Sequence, residues 1–108
     1  MRRGDLVTIS LQGDYGKPRP ALVIQSDMFS EARSKTVLPL TSTLIHAPLI
    51  RVQIEPTPQN RLRATSNVMI DKAATLPVDK LGPSFGTVDD ATMVTVNRAL
   101  ALFLGLAG

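Results

Sequence analysis

Cysteine and tryptophan are absent from this 108-residue chain, histidine occurs once, and aromatic residues make up only 4%. Without cysteine there is no disulfide framework, zinc knuckle, thiol nucleophile or iron–sulfur centre, and the redox compartment stays open. A single histidine excludes a two-histidine acid–base pair within one chain. Long apolar runs are missing as well: Ala99 to Ala107, the longest, falls well short of the roughly 20 residues that cross a bilayer. Asp5, Thr8, Ser10 and Gln12 interrupt the apolar stretch that a signal peptide would need after Met1-Arg2-Arg3. These absences predict a cytoplasmic protein, one domain over residues 1–108, with no membrane partner.

What is present is an uneven charge. Twelve Lys and Arg face nine Asp and Glu, for a net charge of +3, and nine of the twelve cations lie in residues 1–63. Basic side chains displace the counterions around nucleic acid, so the imbalance is compatible with a phosphate-bearing partner. Small basic proteins are common, however, and composition alone does not decide the matter.

Hydropathy patterning gives short strands followed by one helix. Val7, Ile9 and Leu11 alternate with polar residues, the period of a strand with one buried face. After a polar loop over 12–18, Pro20 opens the continuous run Ala21-Leu22-Val23-Ile24, which predicts a central strand buried on both sides. Residues 26–35 read as a connection containing at most one helical turn, and Thr36 to Leu40 as a third strand, with Pro39 marking a bulge or an edge. Ile50, Val52 and Ile54 alternate in a fourth strand, residues 55–60 form a turn, and Asn67 to Ile70 make a fifth strand. Leu76-Pro77 reads as a break, residues 78–81 as a short linker and Gly82 to Gly86 as another turn. From Asp90 the period changes: Met93, Val96, Leu100, Phe103 and Leu104 recur at helical spacing, and the first four are expected in the core. Asp89 is placed to cap the helix start and Gly105 to stop its end. Five or six strands and one helix imply a mainly β fold, a small, partly open barrel closed on one side by the C-terminal helix.

Most catalytic sets are excluded by spacing. The nine acids show no close metal-ligand pattern, no glycine-rich phosphate loop precedes a helix, and no serine lies in a nucleophile elbow. His46 reads as a solvated loop residue. No cofactor or metal is expected. What remains is Lys17-Pro18-Arg19-Pro20, where two prolines fix the backbone around Arg19 at the mouth of a buried strand. A guanidinium held there presents a planar fork of donors suited to a phosphodiester, or else it pairs with an acid such as Asp5 or Asp27.

Five stretches in order resemble one family. Arg3-Gly4-Asp5-Leu6-Val7, Gly16 through Asp27, Val37-Leu38-Pro39-Leu40-Thr41-Ser42, Asn67-Val68-Met69-Ile70-Asp71-Lys72 and Leu102-Phe103-Leu104-Gly105-Leu106 are similar to the MazF/PemK toxins of bacterial toxin–antitoxin pairs, across essentially the whole chain. The resemblance implies an SH3-like barrel with a terminal helix, working as a homodimer. It implies sequence-selective, metal-independent cleavage of single-stranded RNA, and inhibition by a cognate antitoxin whose acidic and apolar tail lies along a basic groove.

Site residues follow from the same resemblance. The family's catalytic pair falls on Arg19 and Thr41, which read from composition alone would be a strand-end cation and an ordinary β-branched strand residue. Asp71 matches an acid that assists the site in some members, but Met69 stands where those members carry arginine. Tyr15, Lys17, Arg51 and Lys72 are the RNA-binding candidates; Tyr15 either stacks on a base or caps the barrel. Attack by the substrate's own 2′-OH suits this set, because it asks for positioning and charge stabilisation rather than an enzymic nucleophile. The same barrel also occurs in CcdB, a gyrase poison, which Gln25-Ser26-Asp27 and Leu38-Pro39-Leu40 resemble. A gyrase poison and a catalytically silent binding barrel are therefore the alternatives.

Overall fold

A computed structural model describes residues 1–10 and 17–107. Among these residues seven strands precede one α-helix: β1 (Asp5–Ile9), β2 (Arg19–Val23), β3 (Ser34–Thr41), β4 (Arg51–Ile54), β5 (Ser66–Met69), β6 (Ala74–Pro77), β7 (Leu81–Thr87) and α1 (Asp90–Phe103). All pairings are antiparallel in the order β4-β5-β3-β2-β1-β7, with β6 added to β3 off that path. The sheet curls without closing, as the partly open barrel requires.

Burial follows the period of two. Leu6, Leu22, Leu38 and Leu40 point to one side and join Val52, Ile54, Val68, Ile70, Val96 and Ala99 in the larger core. Their neighbours Val7, Ile9, Ala21, Val23 and Val37 point to the other side, where Leu76 of β6 and Leu81 of β7 pack against them. The run that begins at Ala21 is thus covered on both faces, as its unbroken apolar character predicts. Each Val, Leu or Ile side chain so withdrawn from water contributes about 1.5–3 kcal/mol, and β1, β2 and β3 place such residues on both of their faces.

The longest strand, β3, is shared among three neighbours. One edge pairs with β2; the other pairs first with β6, through Val37, and then with β5, from Leu40. Pro39 falls at the handover, where that edge has no ladder partner and a missing N–H is tolerated. The prolyl ring therefore marks a change of partner inside a central strand, not an outer edge.

Several sequence expectations are corrected. Residues 82–86 do not turn; they lie inside β7, with register shifts against β1. The glycines serve close approach: a Cβ at Gly82 would collide with the Thr8 side chain, and one at Gly86 with the Asn60 carbonyl. Pro83 is accommodated because β7 ends the sheet. Leu76-Pro77 is likewise part of a strand, β6, and the strand begun at Asn67 gives way at Ile70 to a 3-10 turn over Ile70–Lys72. Leu11 lies outside the described residues.

Helix α1 begins where expected: the Asp89 carboxylate accepts from the Thr92 amide at 2.9 Å, a cap typically worth about 1 kcal/mol. At the other end Gly105, with φ of 75°, reverses the chain, and the Leu106 amide reaches back to the Ala101 carbonyl at 2.8 Å. Met93, Val96, Ala99 and Leu100 face the core. Phe103, expected there, does not: it is 49% exposed, and Leu104 after it 61%. Among the described residues no helix is long and apolar enough to cross a membrane.

Candidate functional site

Lys17 and Pro18 are exposed, and Arg19 opens β2 half-buried, opposite Ile9 of β1. On the other side β2 meets β3 with Val23 opposite Val37, Leu22 opposite Leu38 and Ala21 opposite Pro39. Carried two residues further, that register sets Arg19 against Thr41 at the open end of the pair, on the face that Ala21 and Pro39 share. Thr41 in turn lies opposite Asn67 of β5, and Asn67 opposite Gln53 of β4. Arg19, Thr41, Asn67 and Gln53 thus form a polar row across four strands.

Each member of the row beyond Arg19 is set by its neighbours. The Thr41 hydroxyl oxygen accepts from the Thr43 amide at 3.1 Å, which turns the chain out of β3 and leaves the hydroxyl hydrogen to donate elsewhere. Asn67 is buried, and its amide donates to the Ile45 carbonyl at 3.3 Å, tying the 42–49 loop down beside the row. The Gln53 amide donates to the Glu55 carboxylate at 2.9 Å. Exposed Leu44, Ile45 and Leu49 give the 42–49 loop an apolar outer surface.

One step along the ladder, about 7 Å away, Arg51 lies opposite Met69. Its guanidinium donates to the Asp71 carboxylate and, at 3.0 Å, to the Ile50 carbonyl. Lys72 stands 3.7 Å from the other Asp71 oxygen. The Arg51 and Asp71 side chains are 12% and 19% exposed, whereas Lys72 is mostly in water. Burial raises the Asp71 carboxyl, and the Arg51 hydrogen bond together with the positive charges of Arg51 and Lys72 outweighs it, so the group is held below its ordinary value. Asp71 is therefore an anion at neutral pH, suited to fixing a guanidinium and ill suited to donating a proton.

The structure accordingly sorts the sequence-derived candidates into two groups. Arg19 and Thr41 share a face; Arg51, Asp71 and Lys72 form an ion-paired cluster next to it. Tyr15 and its neighbour Asp14 lie outside the described residues. Asp5 and Asp27, considered as partners of Arg19, accept hydrogen bonds from the backbone amides of Arg2 and Arg3, each at 2.8 Å. His46 is exposed in its loop. Among the described residues no three of His, Asp and Glu come together as a metal cluster would require.

Sequence reasoning missed a cleft at the same end of β2, formed mainly by residues of the larger-core side, with Arg19 at its rim. The cleft, of about 550 Å³, is lined also by Thr8, Pro18, Pro20, Ser66, Phe85 and the segment from Arg61 to Ala64. Thr41 and Asp71 are not in this lining. The Arg61-Leu62-Arg63 alternation carried a signal that went unused: a buried apolar residue between two exposed cations places both cations at a surface.

The model of PemK-like, MazF-like toxins of type II toxin–antitoxin systems matches residues 2–104. A probable endoribonuclease MazF of Mycolicibacterium smegmatis is 48% identical over the full length of both chains. A mycobacterial endoribonuclease solved in complex with its cognate antitoxin superposes with a TM-score of 0.84 at 28% identity, covering 100% of this chain and 98% of that one. The Mycobacterium tuberculosis toxin MazF-mt6, at 23% identity, shares the fold with a TM-score of 0.82 over 96% of this chain and 99% of its own.

Proposed function

Because the chain belongs to the PemK-like, MazF-like toxins of type II toxin–antitoxin systems, we infer that it is an endoribonuclease toxin, a single domain over residues 1–108 that cuts single-stranded RNA in the cytoplasm. Its likeness to an endoribonuclease along the whole chain favours this reading over the gyrase-poison alternative. One observation supports the assignment of the site: β2 pairs with β3 with Ala21 opposite Pro39, so that Arg19 and Thr41, each two residues further along the ladder, fall on the same sheet face.

The chemistry needs little more. The substrate 2′-OH attacks the adjacent phosphorus, the bond to O5′ breaks, and the proton lost from the 2′-oxygen is balanced by one gained at O5′. Products end in a 2′,3′-cyclic phosphate and a 5′-hydroxyl. Negative charge builds on the non-bridging oxygens, and that is where Arg19 and the Thr41 hydroxyl act. A guanidinium is a permanent cation that stabilises charge rather than shuttling protons. Asp71 acts as a positioning residue by holding Arg51, while Lys17 and Lys72 reach the RNA backbone from exposed stems. Tyr15 remains a candidate for stacking on a base.

Two partners complete the reading. The apolar end of α1, with Leu102, Phe103, Leu104 and Leu106 exposed, supports a homodimer in which a second copy covers it. A cognate antitoxin finds a basic face beside the apolar 42–49 loop, complementary to an acidic and apolar tail. The test is cleavage of a long single-stranded RNA in EDTA by wild type, Arg19→Ala and Thr41→Ala. Wild type is expected to leave 5′-hydroxyl ends and each variant to lose about 10²–10³-fold in rate. Variants that cut at the wild-type rate would remove the site assignment, and a strict divalent-metal requirement would remove the mechanism.

A further inference from the structure

The loop from Glu55 to Thr65 is built around one side chain. Asn60 is buried; its carbonyl oxygen accepts from the amides of Thr57 at 2.9 Å and Leu62 at 3.0 Å, and its amide donates to the Glu55 carbonyl at 2.9 Å. The Thr57 hydroxyl accepts from the Asn60 backbone amide at 3.0 Å, and Gln59 is fastened to Thr87 through both main chain and side chain. A loop so held is a fixed platform. Its next residue is Arg61, the one non-glycine with positive φ among the described residues, at 56°. Glycine or asparagine adopts that conformation more cheaply. An arginine kept in a strained backbone position at the edge of a cleft is therefore informative about its side chain.

Arg61 and Arg63 are exposed, line the same cleft as Arg19, and have no ion-pair partner among the described residues. Among the described residues no carboxylate lines the cleft; its remaining walls are mainly Pro18, Pro20, Leu62, Ala64 and Phe85. Three guanidiniums over an apolar floor with an aromatic ring suit the two halves of a nucleotide, phosphate on the cations and base on the ring and prolines. The volume admits one such unit. We infer that this cleft is a nucleotide subsite, seating the RNA residue that adjoins the scissile phosphate at Arg19, with Arg61 and Arg63 on its own phosphate and Phe85 in its base pocket. The inference rests on the endoribonuclease reading and adds to it residues that choose and hold the flanking nucleotide.

The test is single-turnover cleavage of one long single-stranded RNA by the full chain carrying Arg61→Gly and Arg63→Ala together. Glycine suits the φ at 61 and both side chains are in water, so the variant folds; a thermal melt checks this. The expected result is at least a tenfold rise in the enzyme concentration giving half-maximal rate. The limiting rate falls far less, and the log–log salt dependence becomes shallower by about 0.7 for each phosphate that an arginine no longer neutralises. Cleavage-site maps of Phe85→Leu change base preference at one flanking position. Arg33→Ala with Arg98→Ala, equal in charge but away from the cleft, separates a local effect from net charge. If wild type cuts RNA and the loop variant matches it in half-saturation and salt slope, the subsite is overturned while the function stands. The subsite is equally overturned if only antitoxin binding weakens, which makes the cleft a protein-docking surface. If wild type neither binds nor cuts RNA, the underlying function falls and the subsite with it.

Discussion

Arg51, in β4, and Arg61, in the loop that follows β4, meet opposite fates. Arg51 is drawn inward: its guanidinium is held by Asp71 and the Ile50 carbonyl, and little of it reaches water. Arg61 is pushed outward by a backbone that the Asn60 side chain holds from below, and its donors face a cleft. The first cation works as structure, because removing either partner leaves a charge stranded at low exposure. The second contributes almost nothing to folding, so its strained placement has meaning only toward a ligand. In a basic protein, the count of cations is thus a poor guide to how many are available for a phosphate.

The sharpest way to break the contrast is Asn60→Ala. It strands the amides of Thr57 and Leu62 and releases the platform, with an expected loss of about 3 kcal/mol in urea unfolding; RNA affinity falls with it, while the Arg51–Asp71 cluster keeps its geometry. A loss below about 1 kcal/mol would show that the loop is held by something other than its central amide.

Arg51→Met is next, with an expected loss of about 2 kcal/mol at pH 7, discounted from fully buried pairs because both side chains keep some contact with water. Its pH dependence has a definite sign. The Asp71 pKa is lower in the folded chain than in the unfolded one, so the unfolded state takes up the proton first as pH falls. The contribution is complete above the unfolded value near about 3.9 and vanishes as pH drops through the lower folded value. The gap between wild type and Arg51→Met should therefore close toward acid; a gap constant from pH 7 to pH 2 would mean that the pair carries no linkage.

Smallest is Arg61→Gly alone, expected to raise stability by up to about 1 kcal/mol through relief of the positive φ, while weakening RNA binding. A destabilised variant would mean that the Arg61 side chain packs for folding, and the contrast with Arg51 would fail.

Local chemistry made much of this molecule legible. Alternation located β1 and β4, the apolar run located β2, and the period change at Asp90 located α1 with both its ends. What escaped was decided by tertiary contact. Gly82, Pro83 and Gly86 look like turn residues, yet they lie in a strand because Thr8 and Asn60 approach the two glycines too closely for any side chain there. Phe103 keeps the helical period yet stays half in water. At the site, two prolines singled out Arg19 and family resemblance singled out Thr41, but their alignment depends on a register that no local window contains. The Arg51–Asp71 partnership likewise requires β4 to lie against β5, and nothing in the residue type of Arg61 announces a left-handed backbone.

The sharing of β3 among three neighbours has a consequence during translation. When the ribosome has released residues through Thr41, Arg19 and Thr41 have both been synthesised, but β5, which braces Thr41, and β6, which braces the other half of the strand, have not. These are distant pairings, the slow kind. A nascent chain therefore carries Arg19 and Thr41 on a strand pair in which β3 still lacks two of its three neighbours until the later strands emerge.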